Sequence, residues 1–199
     1  EDLMNKYSFL VYTFLLTLFI ASCSTVQSIP VSKFNELSDK NFYLDEVTIE
    51  LSSMQSGSDK LCNIIAQNFP YNEISNILNK KYNISINSTG IEQDKSSFVG
   101  NKNVKIDDKY SDKYIWSSGV TNKNKFTIKY LYNPTMNVFD YFITLYIGDL
   151  KAAYFKDRMK PTVTLMSFTT MGEENIIKFN LECIKNIPAN LSKQLESIK

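Results

Sequence analysis

The chain has 199 residues, of which 43% are hydrophobic and 22% are charged, and its formal net charge is +1. This composition is typical of an ordinary globular protein and excludes both an intrinsically disordered chain and a multi-span membrane protein. Of the 22 basic residues only Arg158 is an arginine, so the sequence lacks the arginine-bearing basic face with which proteins bind nucleic acid.

The amino-terminal segment has the composition of a signal peptide. Met4 is the expected start of translation, Lys6 supplies a positive charge, and residues 7–20 are almost wholly apolar (YSFLVYTFLLTLFI). This stretch is shorter than the roughly 20 residues that a membrane-spanning helix needs, but it fits the roughly 7–15 residues of a secretory signal. We therefore predict that residues 1–22 are a signal peptide that is removed from the protein.

Four residues then follow in the order branched aliphatic, small, small, cysteine, namely Ile20-Ala21-Ser22-Cys23. This segment resembles the lipobox of bacterial lipoprotein precursors. The resemblance implies cleavage before Cys23 and attachment of fatty chains such as palmitate to the Cys23 thiol, which ties the protein to a membrane. An ordinary signal peptide with a coincidental cysteine and an uncleaved membrane anchor remain as alternatives.

The residue after the cysteine indicates which bacterial membrane is expected to hold the protein. Lipoproteins retained in the inner membrane tend to carry aspartate there, whereas this chain has Ser24, and no acidic cluster that would mark surface export follows. The resemblance therefore implies an outer-membrane lipoprotein that faces the periplasm. Residues 23–40 are expected to hold the lipidated cysteine and a polar tether, and residues 41–199 a single domain.

Hydrophobic periodicity predicts the elements of this domain. Alternation predicts a strand over residues 41–51, and helical spacing predicts two helices, one that ends at Pro70 and one that begins near Asn72. A short strand is expected over residues 84–86. The polar, weakly patterned residues 90–108 are expected to be a long loop.

Alternation continues in the second half of the chain, and Pro188 is expected to open a last helix. The predicted strands there cover residues 113–120, 125–132, 138–147, 153–156, 162–169 and 176–184. Together these elements predict an α+β domain, with a mainly antiparallel sheet of about six to seven strands and two or three helices packed on one face.

A second resemblance covers part of this domain. Residues 111–120 (SDKYIWSSGV) and 145–151 (LYIGDLK) are similar to the αβ domain of curli-secretion and penicillin-binding-protein-activator lipoproteins. In those families a turn glycine and a tryptophan follow, whereas this chain has Ala152-Ala153 and then Tyr154-Phe155. The resemblance therefore implies an αβ fold and carries no functional residue to this chain.

The sequence contains no catalytic or metal-binding motif. Its lack of histidine removes the most common general base near neutral pH and most zinc sites. It has neither a phosphate-binding glycine loop nor a nucleophile-elbow motif. We therefore expect no enzyme activity, no cofactor and no metal, and we interpret the carboxylate pair Glu173 and Glu174 as surface charge.

Cys62 and Cys183 are the remaining cysteines of the processed chain. In an oxidising compartment they are candidates for a disulfide, which would close a long loop and restrict the unfolded chain. The alternative is two small buried thiols, because free cysteine is among the most buried residue types. The sequence leaves both open.

Aromatic residues gather in the β-rich half and form a candidate binding face, made of Tyr110, Tyr114, Trp116, Tyr130 and Tyr132. Such side chains stack on sugars or anchor a protein partner when they are exposed, and otherwise fill the core of a sheet. The expected function is that of a membrane-anchored, non-enzymatic accessory or binding component of an envelope complex, with a protein partner. The alternative is a lipoprotein that binds a glycan or a small ligand through this face.

Overall fold

The computed structural model describes residues 25–52, 57–88, 91, 98–106, 109–119, 124–134, 136, 138–160 and 172–198. The strands in this part are β1 (Thr25–Ser28), β2 (Asn41–Ser52), β3 (Ser85–Asn87), β4 (Val99–Ile106), β5 (Lys109–Ser117), β6 (Asn124–Asn133), β7 (Val138–Ile147) and β8 (Leu150–Met159). The helices are α1 (Val31–Asn35), α2 (Ser58–Asn68), α3 (Tyr71–Tyr82) and α4 (Glu173–Glu196).

All eight strands belong to one sheet, in the spatial order β1-β8-β7-β6-β2-β5-β4, with β3 beside the first residues of β2. β2 pairs in parallel with β6 and β3, and every other neighbouring pair in the described sheet is antiparallel. The predicted α+β class with a mainly antiparallel sheet is confirmed, with eight strands instead of six to seven.

The sheet has one deeply buried face, and the strand sequences explain it. In β6 every second side chain, from Asn124 to Tyr132, is buried, because alternate residues of a strand point to opposite faces. In β2 the buried hydrophobic side chains change from even numbers (Phe42, Leu44) to odd numbers (Val47, Ile49, Leu51). The irregularity in register between Leu44 and Glu46 inserts one extra residue, so that Val47 returns to the buried face.

The helices cover this face. α2 buries Leu61 and Ile65, and α3 buries Ile74 and Leu78, in each case at a spacing of four residues, which places the pair on one side of the helix. The two helices form where helices are predicted, and Pro70 separates them. No helix in the described part of the chain is long and apolar enough to cross a membrane.

Two predictions about the residues of α4 are wrong. Residues 176–184 are predicted as a strand and Pro188 as the first residue of a helix, but α4 runs through both. Phe179, Cys183 and Ile187 recur at a spacing of four, so this segment fits the helical period as well as the alternation of a strand. Pro188 removes one backbone hydrogen bond inside the helix, and burial of the apolar side holds the helix together around it.

Two further predictions are wrong at the edges of the sheet. Residues 99–106, inside the predicted loop 90–108, form β4, which gains its hydrogen bonds from β5. Part of the predicted tether 23–40 also belongs to the fold, because β1 pairs with β8 and α1 buries Phe34. The centroid of the Phe34 ring lies 4.2 Å from that of Tyr82.

Several predictions concern residues outside the described part of the chain. They are the signal peptide over residues 1–22, the lipidated Cys23 and the strand over residues 162–169.

Candidate functional site

The predicted aromatic binding face is not exposed, which corrects that prediction. Tyr114, Trp116, Tyr130 and Tyr132 all point to the helix side of the sheet, and none is more than 5% exposed. Tyr110 belongs to β5, and its side chain lies outside the described part. The four described rings fill the core, as the alternative interpretation holds.

The hydroxyl groups of these buried rings tie the sheet to the helices. The Tyr130 hydroxyl donates to Asn180 Oδ1 on α4. The Tyr114 hydroxyl donates to Asp59 Oδ1 at 2.7 Å and lies 2.9 Å from Ser58 Oγ, both on α2. Burial raises the pKa of Tyr130 well above the ordinary tyrosine value, so the phenol stays protonated and keeps its donor. We interpret these tyrosines as structural.

Cys62 and Cys183 are two separate buried thiols, the second of the two alternatives for this pair. Cys62 lies on α2 beside Tyr71, and Cys183 lies on α4 beside Tyr130. Burial raises the pKa of each thiol to about 12, because the thiolate is poorly solvated inside the protein. Neither thiol therefore has the low pKa of a reactive cysteine.

The face of the sheet opposite the helices carries a different set of aromatic side chains. Its residues take the alternate positions of the strands and are absent from the core that the helices share. We call the part of this face that combines lysines with aromatic rings the open face, and define it by Tyr43, Lys125, Lys129, Phe142, Tyr146, Lys151, Tyr154 and Lys156.

The register of the strands alternates lysine and aromatic residues across the open face. Lys125 on β6 lies between Tyr43 on β2 and Tyr146 on β7, and Tyr146 is in turn opposite Lys151 on β8. Directly opposed side chains in a sheet are in contact range. This row therefore brings two lysines and two tyrosines side by side.

A second row of the open face brings the same two residue types together. Phe142 on β7 lies between Lys129 and Lys156, and Lys156 Nζ is 5.4 Å from the centroid of the Phe142 ring. A similar contact occurs within β8, where Lys151 Nζ is 4.7 Å from the centroid of the Tyr154 ring. Such cation–π contacts contribute about 0.5–1 kcal/mol each at exposed sites, so they hold the ammonium groups over the rings.

Ion pairs neutralise some of the cations near the open face. Lys125 lies 3.5 Å from Asp45, and Lys129 lies 3.0 Å from Glu50. By contrast, neither Lys151 nor Lys156 forms an ion pair with another described residue. Among the described residues, the open-face lysines without an ion pair are therefore those on β8.

Arg158, the one arginine of the sequence, lies on β8 beside these lysines and is held by a carboxylate. Its Nε and Nη2 atoms donate to the two oxygens of Asp140 at 2.7 and 2.8 Å, in the bidentate geometry that suits a guanidinium group. This pair fixes the β7–β8 contact. It leaves the excess charge of β8 on Lys151 and Lys156.

The described residues include no group of three or more side chains that would hold a metal ion. Glu173, one of the predicted surface carboxylates, is 58% exposed at its side chain and lies 2.7 Å from Lys60 Nζ.

Phe142, Tyr146 and Tyr154 are absent from the predicted site. For Phe142 and Tyr146 the signal is the presence of large apolar residues on both faces of residues 138–147, which is more than one buried face needs. A strand that is buried on one face only is expected to carry polar residues on the other.

Comparisons with protein-family models, with curated proteins and with solved structures found no match for this chain.

Proposed function

We propose that this protein is a lipid-anchored lipoprotein of the bacterial outer membrane that faces the periplasm and acts as a non-enzymatic binding component of an envelope complex. The observation that carries the proposal is the segment Ile20-Ala21-Ser22-Cys23 after an apolar stretch of signal-peptide length. β1 begins at Thr25, two residues after the cysteine, so cleavage before Cys23 leaves every described element intact.

A binding role is supported by the groups that the chain offers. The sequence has no histidine, and the two described thiols are buried with raised pKa values. The open face, on the other hand, carries tyrosine and phenylalanine rings beside lysines, and aromatic side chains are enriched where a protein contacts another molecule. Such a surface supplies contact area and charge without reactive groups.

The anchor is tested with Cys23→Ala in the producing bacterium. We expect this variant to lose labelling by a fatty-acid analogue and to accumulate as the longer precursor, because the thiol that accepts the lipid is gone. Cys183→Ala is the matched control, since it removes a buried thiol and leaves Cys23 in place. Normal labelling and processing of Cys23→Ala would refute the lipoprotein assignment.

The binding component is tested by cross-linking the protein in its native envelope and identifying the products by mass spectrometry. One reproducible protein partner is expected, and it should be absent when Cys23→Ala blocks lipid attachment and processing. Recovery of only random abundant proteins, at the level seen for an unrelated lipoprotein, would contradict the role in an envelope complex.

A second candidate function is the binding of a glycan or a small ligand, and the rings of the open face favour it, because aromatic faces stack on sugars. Calorimetry with soluble cell-wall fragments tests it. Tyr154→Ala removes one stacking ring, so we expect it to raise the Kd for such a ligand about tenfold, which corresponds to about 1.4 kcal/mol of binding free energy. Val99→Ala, at an exposed position far across the sheet, is the matched control.

A further inference from the structure

The open face lies close to the expected lipid attachment point, and this distance limits how the protein can sit on a membrane. Cys23 precedes Thr25 by two residues, which span at most about 7 Å. Thr25 is paired with Lys156, and neighbouring strands are about 4.8 Å apart. A lipid on Cys23 therefore keeps Thr25 and Lys156 within about 12 Å of the attachment point, next to the polar headgroup layer, which is about 5–7 Å thick on each side of a bilayer.

The side chains at this edge have the composition of a membrane-surface contact. On the open face β1 and β8 carry Lys151, Tyr154, Lys156 and the paired Arg158, and no carboxylate. Lysines near an anionic leaflet are attracted to its headgroups, and tyrosine rings favour the interface between water and hydrocarbon. The open face thus offers both interactions beside the expected anchor.

The helix side of the same edge is less suited to this contact. α1 follows β1 directly and lies on the helix side, where it buries Phe34 in the core. Its one lysine, Lys33, is 3.0 Å from Glu36, so its charge is neutralised. Of these two surfaces, the open face therefore carries the positive charge that a negatively charged bilayer attracts.

We propose that the open face is a docking surface for anionic phospholipid headgroups, and that it fixes the orientation of the protein on the bilayer that holds its lipid anchor. This inference rests on the proposed function, in which Cys23 carries the lipid anchor. Lys151 and Lys156 contact phosphate groups, and Tyr154 lies among the headgroups. The helices α2, α3 and α4 then face away from the membrane, toward the periplasm.

Lysine acetylation of the full, processed lipoprotein tests this orientation. The protein is reconstituted into vesicles of neutral phosphatidylcholine, or of phosphatidylcholine with one quarter phosphatidylglycerol, and acetylation rates are read by mass spectrometry. We expect Lys151 and Lys156 to react at least fivefold more slowly on the anionic vesicles, with protection lost at high salt. Lys60, which is 64% exposed on α2, is expected to react equally on both.

Charge-reversal variants separate the open face from general electrostatics. Lys125 is the reporter, because it lies on the open face and is 39% exposed at its side chain. Lys151→Glu/Lys156→Glu is expected to abolish its protection on anionic vesicles. Lys80→Glu/Lys185→Glu changes the charge equally at exposed helical positions and is expected to preserve it.

Equal acetylation rates on the two kinds of vesicle would overturn the inference, and so would protection of Lys60 in place of Lys151. Protection of Lys151 by soluble cell-wall glycan but not by anionic vesicles would overturn it in favour of the second candidate function. The intact mass of the same sample reports the acyl chains on Cys23. An acylated protein without lysine protection refutes this docking surface alone, whereas a protein without acyl chains refutes the proposed function.

Discussion

Gly100 on β4 lies directly opposite Tyr114 on β5, and the ring of Tyr114 occupies the place where a side chain on Gly100 would begin. A Cβ atom placed on Gly100 would come within 2.9 Å of Tyr114 Cε1. The ring has little freedom to move aside, because its hydroxyl group is bonded to Asp59 on α2. The glycine therefore lets an edge strand pack closely on an aromatic side chain that joins the sheet to a helix.

Gly100→Ala is expected to lower the free energy of unfolding by about 1–3 kcal/mol, the usual cost of inserting a methyl group into a packed site. Urea denaturation measures the change. In a Tyr114→Leu background the ring is absent, so the same substitution should cost less than about 0.5 kcal/mol. Equal costs in the two backgrounds would show that the ring is not the cause.

The buried pair of Tyr130 and Asn180 is a second test of the fold. Asn180 is fully buried on α4, where Oδ1 accepts from Tyr130 and Nδ2 donates to the Ile176 carbonyl at 2.8 Å. Asn180→Ala leaves the Tyr130 hydroxyl without its acceptor, so it should cost about 2–3 kcal/mol. The double variant Tyr130→Phe/Asn180→Leu should cost clearly less than the sum of its two single variants, and additive costs would contradict the pairing.

Asp157 is expected to make stability depend on pH. Burial raises its pKa above the ordinary aspartate value, although hydrogen bonds from the Arg158 backbone and the Asn190 side chain act in the opposite direction. The folded state therefore binds the proton more tightly than the unfolded state does. This contribution to stability is present below the ordinary aspartate pKa and is lost as the pH rises through the raised one.

Asp157→Asn replaces the titrating carboxyl group by an amide of nearly the same size, so the side chain no longer gains or loses a proton. We expect the variant to be more stable than the parent protein at about pH 7, with a difference that shrinks as the pH falls toward about 4, the ordinary aspartate value. Urea denaturation across this range measures it. Asp149→Asn, at an exposed turn position, controls for the loss of one negative charge. A difference that grows on acidification would contradict the sign.

The two buried thiols give a further prediction, best measured in Cys23→Ala protein, which has no other cysteine. Because burial raises the pKa of Cys62 and Cys183 to about 12, little thiolate forms near neutral pH. Maleimide should react with the native protein on the order of 10³-fold more slowly than with the urea-unfolded protein. Titration of the unfolded, unreduced protein should find two free thiols. If it finds no free thiol, the two cysteines form a disulfide and the prediction is wrong.

Strands rich in alternating or continuous apolar residues could be predicted, because this signal is local. Residues 138–147 form a strand with the predicted bounds, and the strand predicted over residues 41–51 extends by one residue to Ser52. Residues 99–106 could not be predicted, because this polar segment becomes a strand through hydrogen bonds to β5. Residues 176–184 fit both the strand and the helix period, and only the surrounding core decides between the two.

The candidate site was harder to predict than the fold, since alternation along a strand shows that two faces exist but not which face the helices cover. Tyr130 and Lys129 are neighbours in the sequence, yet one lies in the core and the other on the open face. Tyr114, Tyr130 and Tyr132 therefore lie on the side that the helices cover, and not on an exposed face. The rings on the open face gain their lysine neighbours only through the order of β6, β7 and β8 in the sheet.

β2 lies in the interior of the sheet, although it is among the first strands to leave the ribosome. Its register sets Val47 between Trp116 and Ile128, and both neighbours are made much later. Such non-local pairing slows folding, because the ends of a long loop must meet before the pair gains stability. The interior of this sheet therefore cannot form until β6 has been translated, and this delay favours export of the proposed lipoprotein before it folds.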